Sequence, residues 1–151
     1  MYARILVPID GSDAAAQGLR EAIALARELK STLVLLHVVN EYPLLIDMAA
    51  ATNAEALRQD LWDFGKELLA QASRDASEAG VPAESLVREM ISGRVGDLIA
   101  ESASQQSCRL IVMGTHGRRG LTRLALGSDA EITLRCAPVP VLMVRRHGID
   151  P

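Results

Sequence analysis

Five short apolar runs alternate with longer stretches of helical periodicity, and no other feature of this 151-residue chain restricts its fold so tightly. The runs are Arg4 to Ile9, Thr32 to Val39, Ser85 to Ile91, Leu110 to Met113 and Val139 to Val144. Leu33-Val34-Leu35-Leu36 and Leu110-Ile111-Val112-Met113 are apolar without a break, as strands covered on both faces are; a sheet wet on one side would alternate. Helical segments are expected at 13–29, 54–79 and 95–103, with a fourth between Leu121 and Arg135 interrupted at Gly127. In the second helix Leu57, Leu61, Phe64, Leu68 and Ala72 recur at steps of three and four and are assigned to its buried face. Thr52 with Glu55 forms a candidate capping box at its start, and Gly80-Val81-Pro82 stops it. The order is strand and helix four times over, then a last strand. That order predicts a single-domain α/β fold, a doubly wound five-stranded parallel sheet with helices on both faces. The stretch from Glu41 to Ala51 reads as a long connecting loop.

Composition narrows the function. Hydrophobic residues make up 49% and charged residues 23%, enough for one ordinary core, so one domain over 1–147 is expected with a short tail at 148–151. The only aromatics are Tyr2, Tyr42, Trp62 and Phe64, too few to build base-stacking platforms. Phe64 is assigned to the core, and Trp62 to a cover over the loop after the second strand or to a partner. With 16 basic and 19 acidic residues the net charge is −3, which provides no global field for nucleic acid or an anionic membrane. No run of roughly 18 apolar residues is present, and the N-terminus lacks a signal-peptide layout. A cytoplasmic protein without membrane insertion is expected. Cys108 and Cys136 are too far apart for a CxxC unit and are read as small core or boundary residues.

In an open parallel sheet, ligands bind beyond the carboxyl ends of the strands. Two such places stand out. In Pro8-Ile9-Asp10-Gly11-Ser12, Asp10 closes the first strand, where a carboxylate accepts hydrogen bonds from ribose hydroxyls; a turn aspartate or helix cap is the alternative. Gly114-Thr115-His116-Gly117-Arg118-Arg119-Gly120 follows the fourth strand and leads through Gly127-Ser128 into a helix near Asp129. Glycines admit an anion close to backbone amides, and the helix N-terminus adds about half a positive charge. Ser128 also fits a capping box with Glu131. Gly65-Lys66 is followed by Glu67 within a helical pattern, so no Walker A loop is present, and no GxG occurs. His37 reads as a packed or hydrogen-bonded histidine, His116 as a loop contact for phosphate or solvent, and His147 as part of a polar tail.

The spacing Gly114-x2-Gly117-x9-Gly127-Ser128 closely resembles the ATP-binding motif of the universal stress protein family. Chance occurrence in a chain this long is under about 1%. The resemblance extends to Ile5-Leu6-Val7-Pro8-Ile9-Asp10-Gly11-Ser12, to Leu36-His37-Val38 and to Ala137-Pro138-Val139-Pro140-Val141-Leu142-Met143-Val144-Arg145. It implies an ATP site in which Asp10 contacts ribose and adenine, the backbone of Val38 contacts adenine, and Pro8 and Ile9 line the base. It further implies that Met113, Gly114, Gly117, Gly127, Ser128 and the backbone of Asp129 wrap ribose and phosphates. Asp129 departs from the family pattern, because many relatives carry an apolar residue there. Its side chain either turns away or approaches a divalent ion such as Mg2+ that bridges it to phosphate. Arg118, Arg119 and Arg123 are close in sequence and offset that charge or form a solvated basic face. The resemblance also implies a homodimer paired antiparallel through Val139 to Val144.

No paired acid and base, oriented nucleophile or P-loop lysine is visible, so hydrolysis of ATP is expected to be slow at most. The expected function is a nucleotide-dependent sensor or regulator in stress response. The alternatives are a nucleotide-free interaction module of the same fold and an adenylating enzyme with an added substrate pocket.

Overall fold

The computed structural model describes residues 1–41, 53–115 and 126–145. The strands are β1 (Arg4–Pro8), β2 (Thr32–Asn40), β3 (Ala83–Met90), β4 (Leu110–Gly114) and β5 (Val141–Val144); the helices are α1 (Asp13–Leu29), α2 (Ala54–Glu78), α3 (Val95–Gln105) and α4 (Ser128–Cys136). All strands are parallel, in the order β3-β2-β1-β4-β5. The predicted fold class is therefore observed. The chain winds outward from β1 through β2 to β3, then returns across the sheet to β4 and β5. Between β1 and β4 the direction reverses, and that gap opens at the carboxyl ends of the strands.

Two apolar layers hold the sheet between its helices. On one face Ile5, Val7, Leu33, Leu35 and Val112 pack with Leu19, Ala22 and Ala26 of α1 and Leu69, Ala72 and Ala76 of α2. On the other Leu6, Val34, Leu36, Ile111 and Met113 pack with Ile99 and Ala103 of α3 and Ala130 of α4. Alternate residues of each strand point to opposite layers, so the unbroken apolar runs follow directly from burial on both sides. α1 starts where the Ser12 side chain accepts a hydrogen bond from the Ala15 amide at 3.0 Å, and it ends at Lys30 in the left-handed region.

Several expected details are corrected. The buried residues of α2 are Gly65, Leu69, Ala72 and Ala76, with Leu68 packed partly buried beside them; of the expected stripe Ala72 and Leu68 face the core, whereas Leu57 is 44% and Phe64 38% exposed. Small residues lie inward because the helix lies close to the sheet, and the larger Leu57 and Phe64 do not fit there. Asn53 is the N-cap of α2 and makes no side-chain capping bond; Thr52 lies outside the described residues. β5 begins at Val141 instead of Val139, after Pro138 and Pro140, which have no amide hydrogen to pair. Cys108 is buried and Cys136 exposed, so only the first is a core residue.

The first half of α2 contains no buried residue. It is tied to the sheet by charge. Arg58 Nε donates to Glu41 Oε1 at 2.8 Å, its Nη2 donates to Glu89 Oε1 at 2.8 Å, and Trp62 Nε1 donates to Glu41 Oε1 at 3.3 Å. Glu41 follows β2 directly, so Trp62 does reach the chain after the second strand. Arg58→Gln is expected to speed amide exchange in 56–64 several-fold while the amides of 66–76 keep their protection, as read by hydrogen exchange with mass spectrometry.

Candidate functional site

Pro8 ends β1, and Ile9 and Asp10 continue beyond it; Met113 and Gly114 end β4; Gly127, Ser128 and Asp129 form the start of α4. These eight predicted residues gather at the carboxyl end of the gap between β1 and β4. Val38 is half-buried on β2, two positions before the strand ends, and packs with the layer that contains Leu6 and Met113. Gly117, His116, Arg118, Arg119 and Arg123 lie outside the described residues.

At the β1 end, the Ile9 amide donates to the Leu36 carbonyl at 2.7 Å, and the Ile9 side chain is buried in the core. Asp10 Oδ1 accepts from the Ser12 amide at 2.8 Å, which makes it the turn aspartate of one reading. That bond uses one carboxylate oxygen. The other has no hydrogen-bond partner among the described residues and remains available for a hydroxyl donor. Gly11 has φ of 83°, so the turn uses the left-handed conformation that glycine tolerates.

Gly114 has a reason of its own to be glycine. A Cβ there would run into the Ala14 carbonyl oxygen, 2.5 Å from its carbon and 2.8 Å from the Ala14 Cβ. Gly18 meets the same place from α1, where a Cβ would fall 3.0 Å from the Gly114 nitrogen. The missing side chains therefore let α1 lie directly on the end of β4. Beyond it, the Thr115 amide donates to the Val144 carbonyl at 3.0 Å and the Gly127 amide to the Thr115 carbonyl at 2.8 Å. These two bonds pin both ends of the 116–126 segment to the sheet.

Gly127, and not Ser128, is the N-cap of α4, with no side-chain capping bond; Glu131 pairs with Arg135 at 3.1 Å instead. The first helical bond runs from the Glu131 amide to the Gly127 carbonyl at 2.9 Å, so the amides of Ser128, Asp129 and Ala130 precede any intrahelical acceptor. Such amides accept an anion. Asp129 opposes one. Burial, and then the charge of Asp10, push the Asp129 carboxyl above its ordinary range, although the helix N-terminus itself favours a carboxylate. Among the described residues no three His, Cys, Asp or Glu side chains gather as a metal site. No helix of the described residues is long and apolar enough to cross a membrane.

Sequence reading did not find the roles of Gly18, Thr115 and Gly65. Gly18 and Gly65 fall inside helical patterns where glycine costs about 1 kcal/mol relative to alanine, and that local penalty was the available signal of close packing.

The five-stranded parallel sheet, with its strand order reversing between β1 and β4, defines a doubly wound α/β protein. The profile of the universal stress protein family matches residues 1–145, and the chain belongs to that family. Universal stress protein MJ0531 of Methanocaldococcus jannaschii is 34% identical over 146 residues, covering 97% of this chain and 84% of that relative. The solved structure of MJ0577, from the same organism, superposes with a TM-score of 0.85 at 25% identity, covering 98% of this chain and 99% of the other. More distant chains of the same fold have been solved with adenine nucleotides. One is the universal stress protein of Archaeoglobus fulgidus in complex with dAMP, at 22% identity and a TM-score of 0.65, covering 94% of this chain and 97% of the other. Another is a family protein of Arabidopsis thaliana with AMP bound, at 17% identity and a TM-score of 0.69, covering 97% and 93%.

Two outcomes follow from the local geometry. Gly114→Ala is expected to lower the free energy of unfolding by about 1–3 kcal/mol through overpacking against Ala14, as measured by urea denaturation. Asp129 titrates above its unfolded value, so the folded state gains from its protonation: stability is highest below the ordinary aspartate range and falls as pH rises through the raised value. Asp129→Asn should then raise Tm near neutral pH, with the difference from the parent closing as the solution is acidified.

Proposed function

We propose that this protein binds ATP in the crevice between β1 and β4 and acts as a nucleotide-dependent sensor or regulator in the response to stress. The observation that carries the reading is the start of α4. Three amides without helical acceptors lie next to a loop stem that closes on Gly127, at the one place where the sheet reverses direction. In this reading Gly117, Gly127, Ser128 and the backbone of Asp129 hold the phosphates, Asp10 holds the ribose, and the backbone of Val38 meets the adenine. The family relation supports it, as do the AMP and dAMP seen in distant chains of the same fold.

Asp129 repels the phosphates it would flank, and Mg2+ between Asp129 and phosphate would relieve that repulsion. The same carboxylate favours the second reading, a nucleotide-free interaction module. In this reading any hydrolysis of ATP is slow, as the sequence, with no Walker A lysine, leads one to expect. We place the protein in the cytoplasm as a homodimer. β5 is an edge strand with Leu142 38% exposed, and an edge of this kind pairs readily with a second copy of itself.

Isothermal titration should show ATP binding that Gly127→Val abolishes and that Asp129→Asn strengthens roughly three- to tenfold through removal of a like charge. Adenine nucleotide should be found by mass spectrometry in denatured, freshly purified protein. No nucleotide and no titration heat would favour the interaction module. For the assembly, Leu142→Asp is expected to shift the sedimentation coefficient from dimer to monomer.

A further inference from the structure

His37 lies on β2, 7% exposed, and points into the layer shared by β1 and α2. Its Nδ1 lies 2.7 Å from the Ile9 carbonyl oxygen. A carbonyl only accepts, so Nδ1 carries the hydrogen and donates it. Ile9 is thereby held at both ends of its backbone, its amide by Leu36 and its carbonyl by His37. The next peptide begins Asp10, whose carboxylate orders the Gly11-Ser12 turn.

The imidazole has no room to move. α2 crosses above it at Gly65, where a Cβ would collide with His37 Cδ2 and lie 2.9 Å from Nε2. Phe64 stands edge-on to the ring with centroids 6.3 Å apart and an interplanar angle of 77°. The Phe64 ring also reaches Gly11, 3.4 Å from where a Cβ would be. One helix thus presses on the histidine and on the turn that the histidine supports.

We propose that His37 is a positioning residue for the nucleotide site: wedged beneath Gly65, it donates to the Ile9 carbonyl and so sets the orientation of Asp10. Its effect on nucleotide rests on the ATP-binding reading above; its effect on the turn does not. A change in α2 at Gly65 reaches Asp10 through this ring, although Gly65 touches no part of the crevice in the proposed ATP site.

The experiment uses the full-length protein and two readouts. The first is exchange of the Ser12 amide in nucleotide-free protein, followed by NMR. The second is the Kd for ATP by titration calorimetry. His37→Leu should speed Ser12 exchange and weaken ATP about tenfold, in line with loss of one buried hydrogen bond and the order it imposes. His37→Asn should restore both, because its amide nitrogen is as many bonds from the backbone as Nδ1; His37→Gln should not. Gly65→Ala should reproduce the loss in the parent and add little in the His37→Leu background, since both act through one ring.

Unchanged Ser12 exchange in both His37→Leu and His37→Gln overturns the proposal whatever ATP does. So does a Gly65→Ala effect of equal size in both backgrounds. Should His37→Leu fail to fold, the contrast between Asn and Gln decides alone. Altered exchange with Asn rescue in a protein that binds no ATP leaves the positioning role standing and removes the ATP reading instead.

Discussion

The first turn of α1 rests on the last residue of β4, backbone against backbone, and the crevice exists because of that contact. Gly114 and Gly18 remove the side chains that would hold the two elements apart. α1 leaves β1 through the Asp10-Gly11-Ser12 turn, so its closeness to β4 draws that turn toward the carboxyl end of its neighbour strand. Close packing of this type is intolerant of added volume, since no void is available to absorb a methyl group. Glycine at 114 is thus explained by the fold alone, before any ligand is considered.

Charge in the crevice is balanced between main chain and side chain. The N-terminal amides of α4 and the helix dipole attract an anion, whereas Asp129 repels one. Attraction by amides is fixed by backbone geometry and does not titrate. Repulsion by Asp129 does titrate, because burial shifts its carboxyl in the direction that makes its charge easier to lose. A carboxylate at this helix terminus makes its attraction for an anion depend on pH, as amides and apolar residues alone would not. That is a property of this chain's own aspartate at the second position of α4.

Much of this was legible in the residues. Strands covered on both faces lose alternation and become continuous apolar runs, which made β1, β2 and β4 easy to place within a residue or two. The glycine spacing and the acidic end of β1 marked the two sides of the crevice for the same reason: each lies just beyond an apolar run. The packed face of α2 was legible only in part. Hydrophobicity placed Leu68 and Ala72 correctly but also selected Leu57 and Phe64, whereas a helix that lies close to a sheet selects by size and turns Gly65 and Ala76 inward with Leu69. Periodicity marks where an apolar stripe lies and carries no information on how near the neighbour is. His37 is packed and hydrogen-bonded as its place in an apolar strand implied, but its partner was not legible. Its parity with Leu33 and Leu35 assigns it to a layer, yet its partner is a main-chain carbonyl 28 residues earlier, and main-chain acceptors have no signature in sequence.

α2 joins these themes because its two halves are held by different forces. From Gly65 onward it is held by apolar burial, which is insensitive to salt and pH. From Ala54 to Phe64 it is held by Arg58 between Glu41 and Glu89. Glu41 is 8% exposed; burial opposes its charge, and hydrogen bonds from the Arg58 guanidinium and the Trp62 indole N–H offset that cost and hold its carboxyl below the ordinary range. Loss of that cation strands a buried charge, so the outer half loosens while the inner half keeps its contacts. The boundary between the two falls at Phe64 and Gly65, the pair that meets His37 and the Gly11 turn. In the proposed positioning role of His37, loosening of the outer half would reach the ring through Phe64, which stands edge-on to it, while Gly65 stays in place.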